Sequence, residues 1–166
     1  MHAMLMEIQK SLYLPNGLAC ANLVTDSESS AYNACTFELN CKRILFRTAH
    51  ITPTKIGQFV TLWKRIGNGP ILPYDKKDPI DFVIITVKNK EQLGHFIFPI
   101  DLLCRKDIFS TDGTGGKRAI RVYPPWDITT NKQAQKTQAW QISYFVELQP
   151  HINIDQLKQL LSVDLT

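Results

Sequence analysis

The run Phe82-Val83-Ile84-Ile85-Thr86-Val87 limits the possible folds more than any other stretch of the chain. It is apolar at consecutive rather than alternate positions, the pattern of a central strand buried on both faces. Such a strand needs a covering layer on each side. A polar turn over Lys88 to Gln92 leads into a second strand, Gly94-His95-Phe96-Ile97-Phe98. The 166 residues suit one compact domain spanning 1–166, and no repeat, low-complexity tract or linker divides it. No apolar run approaches the roughly 18 residues of a membrane span.

Residues 35–39 and 44–51 read as two further strands joined by a hairpin turn, with Glu38 and Arg47 as cross-strand partners. A short helix over 3–13, with Leu5, Ile8 and Leu12 on one stripe, stops at Pro15-Asn16-Gly17. Over 52–66, Ile56, Phe59, Val60, Trp63 and Ile66 recur at helical spacing. Thr52 as N-cap, Pro53 as first residue and Gly67 as a stop complete the expectation of an amphipathic helix. Pro99 opens a short helix through Leu103, and Ser110 to Gly116 must be a loop. Residues 118–123 predict a strand ended by Pro124-Pro125, residues 131–148 a long helix, and Asn153 the cap of a last short one. The fold class is therefore α/β (α+β), a single domain with a mixed central sheet flanked by helices.

The net charge of +4 is modest, but its distribution is uneven. Between Glu38 and Asp75 lie Lys42, Arg43, Arg47, Lys55, Lys64 and Arg65 with no acid among them. A second stretch, Gly113 to Val146, sets Lys117, Arg118, Arg121, Lys132 and Lys136 against Asp127 alone. These blocks carry +6 and +4, so the remainder carries −6. Such asymmetry points to an anionic partner, unless the charges disperse over separate solvated faces. Met1 to Glu7 shows neither the basic nor the apolar segment of a secretory signal, which predicts a cytoplasmic protein. Cys20, Cys35, Cys41 and Cys104 form no CxxC pair and read as reduced thiols rather than metal ligands. Nothing in the pattern calls for a cofactor.

Several segments together resemble the MepB family. They are Thr52-Pro53-Thr54-Lys55-Ile56-Gly57-Gln58-Phe59-Val60-Thr61-Leu62-Trp63-Lys64-Arg65, then Pro73-Tyr74 with Asp78 and Asp81, and Gly116-Lys117-Arg118-Ala119-Ile120-Arg121-Val122-Tyr123-Pro124-Pro125-Trp126-Asp127. The Gln133 to Gln141 stretch, with Tyr144-Phe145, matches the family's carboxy-terminal helix. The resemblance runs in order over residues 32–145 of a bacterial family. It implies one α/β domain with a topology similar to restriction-endonuclease-like folds, and no particular activity.

Metal-dependent enzymes of that topology need an Asp on one core strand and a Glu-x-Lys on the next, to hold Mg²⁺ and activate water. Asp81 can serve as the first acid, but His95-Phe96-Ile97-Phe98 offers neither carboxylate nor lysine. The chain therefore reads as a nuclease-like scaffold without its metal site. HExxH, GxSxG, Walker A and GxGxxG patterns are absent, and His2, His50, His95 and His151 are scattered.

The candidate ligand-binding residues are Thr52, Thr54, Lys55, Gln58, Asp81, Lys117, Arg118, Arg121 and Trp126. A helix start at Thr52-Pro53-Thr54-Lys55 would offer backbone N–H groups to a phosphate. The Gly113 to Lys117 loop would add a second cradle, and Trp126, Tyr74 or Tyr123 would stack a base. Arg118 and Arg121, three apart on a strand, face opposite ways, so at most one enters such a site. The bland alternative makes Pro124-Pro125-Trp126 a rigid turn packed on the core. Three functions follow. The first is a binding module for nucleic acid or a nucleotide phosphate. The second is an enzyme acting on a small anion in a pocket of Thr54, Lys55, Gln58, Asp81 and Arg121. The third is a protein-interaction module.

Overall fold

The computed structural model describes residues 3–162; His2 lies outside them. A six-stranded mixed sheet forms the centre, in the order β1 (Cys20–Thr25), β2 (Cys35–Leu39), β3 (Lys42–Thr48), β8 (Phe82–Lys88), β9 (Leu93–Pro99) and β11 (Phe145–Gln149). Only β3 and β8 run parallel; every other neighbouring pair is antiparallel. The central run behaves as its composition demands. Phe82 and Ile84 enter one apolar cluster, while Val83, Ile85 and Val87 enter another on the opposite face.

The first face is covered by α1 (Ala3–Ile8), the π-helical turn Gln9–Tyr13, and α4 (Ile154–Leu160). Gly17 stops the amino-terminal segment in the left-handed region at φ 77°. The Asn153 side chain caps α4 by accepting from Gln156 N–H. The second face carries α2 (Ile100–Arg105), α3 (Lys132–Gln141) and a small sheet of β4 (His50–Ile51), β5 (Gln58–Thr61) and β10 (Ala119–Val122). A hairpin of β6 (Trp63–Arg65) and β7 (Ile71–Pro73) extends from β5.

Three expectations are corrected. Residues 52–66 form no helix: a bend over 53–57 leads into β5 and β6. From Gln58 onward burial alternates with a period of two: Gln58, Val60 and Leu62 are buried, and Phe59, Thr61 and Trp63 are half-buried. Ile56 and Ile66, two ends of the helical stripe, are exposed instead. Phe59-Val60-Thr61 suits a pleated surface, and pairing with β10 decides the choice. The long carboxy-terminal helix is shorter than expected: α3 ends at Gln141, and a 3₁₀ turn over Ile142–Tyr144 leads into β11. Finally, Glu38 faces Arg43 across the hairpin rather than Arg47. Arg47 is buried and donates to Phe46 O and Tyr74 Oη. Asn40 and Cys41 both take positive φ, as a two-residue hairpin turn requires.

Candidate functional site

A cleft of about 760 Å³ opens between the small sheet and α3. Its floor follows from strand register. Arg121 lies opposite Phe59, so their side chains share the open face, while Ile120 and Val60 form the next pair toward the core. Its wall is α3, whose start is set by Asn131 accepting from Ala134 N–H. Gln141, 1% exposed, ties wall to floor. Its Oε1 accepts from Tyr123 N–H and its Nε2 donates to Arg121 O.

Four cations line this cleft: Lys55, Lys106, Lys117 and Arg121. No Asp or Glu among the described residues lines it, and none lies within ion-pair distance of those four. Lys106 stands over the Trp140 ring at 5.2 Å. Arg121 donates through Nη1 to Thr52 Oγ1, Ile56 O and Gly57 O, at 3.0, 3.3 and 3.1 Å. These bonds hold the 52–57 bend, and therefore Lys55, against β10. Gly57 makes the close fit possible: its φ is +84°, and a Cβ there would lie 2.7 Å from the Tyr123 ring.

Four of the other five cations of the first basic block are spent elsewhere. Arg43 binds Asp81 through two nitrogens, Lys64 binds Asp78, Arg65 binds Glu28, and Arg47 lies 4.0 Å from Asp26. Acids from outside the block thus close on four of its six cations, while Lys55 faces the cleft. A cleft rich in cations, without acids or a gathered catalytic set, does not by itself identify a lineage.

Comparison with known proteins does. The MepB-like family model matches residues 26–147. The chain belongs to the MepB-like family. The structure of this MepB-like chain is also similar to one solved as "Crystal Structure of MepB", with a TM-score of 0.77 and 34% identity over 91% of this chain and 100% of that one. No curated protein matches.

The fold of this MepB-like chain places the other candidate residues as follows. Thr54, Lys55, Lys117 and Arg121 share the cleft, and Thr52 braces Arg121 from behind. Arg118 points away, donating to Ile71 O. Asp81 is remote from the cleft, and the Arg43 guanidinium holds its carboxyl below the usual range. Gln58 is buried beneath a second, smaller recess, with Nε2 donating to Lys88 O. The five side chains of the small-anion pocket therefore do not converge.

Two phosphate cradles also fail to form. No helix begins at Thr52, so no row of free N–H groups exists there. In the glycine loop, Gly113 N–H donates to Asp75 and Gly116 N–H to Asp107. The loop already holds the protein's own carboxylates; the Gly113 N–H, with the Lys77 N–H and the Ser110 hydroxyl, pulls the Asp75 pKa down to about 2. Tyr74 is stacked on Phe109 at 5.7 Å, within the core. Trp126 meets Phe145 edge-on at 5.7 Å, the packed-turn alternative, and its remaining surface lines the smaller recess.

No Cys or His among the described residues lines the cleft, and burial pushes Cys20 and Cys35 up to about 11 and about 12. Among the described residues no group of three His, Cys, Asp or Glu side chains is placed to hold a metal ion. No described helix is long and apolar enough to cross a membrane. Sequence reasoning missed Lys106, which lies outside both basic blocks, and Gln141. The glutamines at 138 and 141, three apart on one helix, were the available signal: Gln138 holds Pro124 O and Asp127 O.

Proposed function

We propose that this protein binds phosphate groups of a nucleotide or nucleic acid in the cleft between β10 and α3. One observation carries the reading: four cations converge on a concave surface that no described carboxylate lines or neutralises. Bringing four like charges together costs electrostatic free energy in the empty protein, and an anion relieves that cost. Trp140 and Phe59, alongside the cations, offer apolar surface to the sugar that a phosphate carries.

Fluorescence anisotropy with a labelled single-stranded oligonucleotide, repeated across salt concentrations, tests the reading. Log affinity is expected to fall linearly with log salt, with a slope of roughly −0.7 per phosphate engaged. Lys55→Glu and Lys117→Glu each weaken binding at least tenfold, and neutral Lys55→Gln flattens the slope by about one contact. Lys10→Glu, on the opposite face of the sheet, leaves binding unchanged. Equal affinity for wild type and all four variants overturns the assignment.

A further inference from the structure

Beside the cleft, on the far side of Lys55 and Ile56, lies a second recess of about 340 Å³. The two share those residues as a partition. Ile51, Ile56 and Ile128 line the recess although 65%, 42% and 81% of their surfaces are exposed, and Trp126 completes the apolar wall. Exposed large hydrophobics gathered around one depression mark a binding surface more often than scattered ones do.

Beside the Lys55 ammonium, the recess presents two side-chain acceptors, the Gln58 amide oxygen and the Asp127 carboxyl. Gln58 is 2% exposed; its Nε2 is committed to Lys88 O, and its Oε1 receives no hydrogen bond. A buried acceptor without a donor has lost its water and gained nothing in exchange. The Asp127 carboxyl, also on the recess, is raised by burial while the Gly57 N–H draws it back. Asn89 Oδ1 is already filled by Glu91 and Gln92 N–H, and one of its Nδ2 hydrogens goes to Gln92 Oε1.

Building on the phosphate reading of the cleft, we infer that the recess is a base subsite, which takes a nucleobase with an N–H donor edge while its phosphate lies across the partition. Guanine fits best, since N1–H and N2–H sit side by side and can serve two acceptors. The apolar wall takes the ring faces, and the Gln58 amide oxygen at the floor gains the donor it lacks. A free nucleotide and an unpaired nucleotide of a single strand present the same group.

Calorimetry at low salt separates this inference from the reading beneath it. The ligands are GMP, UMP, ribose 5-phosphate and a single-stranded tetranucleotide containing one guanine, titrated into wild type and the double variant Ile51→Ser/Ile128→Ser. Both substituted side chains are exposed, so the fold is retained. GMP is expected to bind wild type at least tenfold tighter than ribose 5-phosphate and tighter than UMP. The variant loses most of that advantage while binding ribose 5-phosphate within twofold of wild type. A tetranucleotide that outbinds GMP and responds to the variant identifies a strand as the source, and the reverse order identifies a free nucleotide. Equal affinity for GMP and ribose 5-phosphate overturns the base subsite and leaves the cleft standing. Binding of none of the four overturns both.

Discussion

Two glycines of one loop are held by different physical demands. Gly113 has φ +76°, and nothing lies within 4 Å of where a Cβ would stand. Gly116 has φ +88°, but a Cβ there would lie 2.7 Å from Pro73 Cβ and 2.9 Å from Ser110 N. Gly113→Ala therefore costs only the left-handed penalty, about 1–2 kcal/mol. Gly116→Ala adds a backbone clash that no side-chain rotation removes, so its cost exceeds the first by a further ~1–3 kcal/mol. Urea unfolding of the two variants measures the gap, and equal midpoints would refute the role given to crowding. The composition of this loop suggested a phosphate cradle, whereas its donors serve Asp75 and Asp107. Glycine content reveals where backbone can turn. It does not reveal which anion, internal or external, the exposed N–H groups will meet.

At the scale of elements, a buried chain of polar groups fastens the amino-terminal segment to the sheet. Tyr13 Oη and Thr86 Oγ1 lie 2.7 and 3.0 Å from the two ring nitrogens of His95, and all three residues are fully buried. Burial drives the His95 pKa down from 6.5 to about 3. As pH falls below about 6.5, the unfolded chain takes up a proton that the native His95 refuses. Stability therefore declines from there toward about pH 3, by up to about 1.4 kcal/mol per pH unit. Asp75 and Asp81, both lowered, lose their contributions only in more acidic solution. Unfolding free energies at pH 7.5 and 5 should show this slope in wild type and a smaller one in His95→Gln. The central strands, the 40–43 turn, the short helix after Pro99 and the Asn153 cap were all legible in the sequence, because each is decided by local chemistry or by a run with a single interpretation. The 52–66 segment was not. Its apolar spacing favours a helix, whereas the deciding partner, β10, lies over fifty residues away. Losing that helix also removed the local reason for nominating Thr52, although Lys55 remained a cleft residue by a different route.

Across the whole molecule, linear charge density and spatial charge density diverge. The block of six cations looked like a basic patch, yet most of it is closed by Asp26, Glu28, Asp78 and Asp81. Lys106 comes from a stretch of mixed sign and joins the cleft. The basic blocks thus held three of the four cleft cations, Lys55, Lys117 and Arg121, and omitted Lys106, because pairing depends on tertiary contacts that spacing does not encode. The bonds from Arg121 Nη1 to the 52–57 bend carry a further thermodynamic meaning. Arg121 contributes its own charge and also keeps Lys55 in place, whereas Lys117 has no described bond to either. Replacing Arg121 with Ala should forfeit much of what Lys55 contributes before Lys55 is touched. In a double-mutant cycle read on oligonucleotide affinity, Lys55→Ala and Arg121→Ala should be subadditive by about 0.5–3 kcal/mol, while Lys55→Ala and Lys117→Ala should nearly add. Additivity in the first pair would show that the Arg121 bonds do not position Lys55. With subadditivity, two residues sixty-six positions apart in the chain act as one energetic unit, and variation at one would be constrained by the identity of the other.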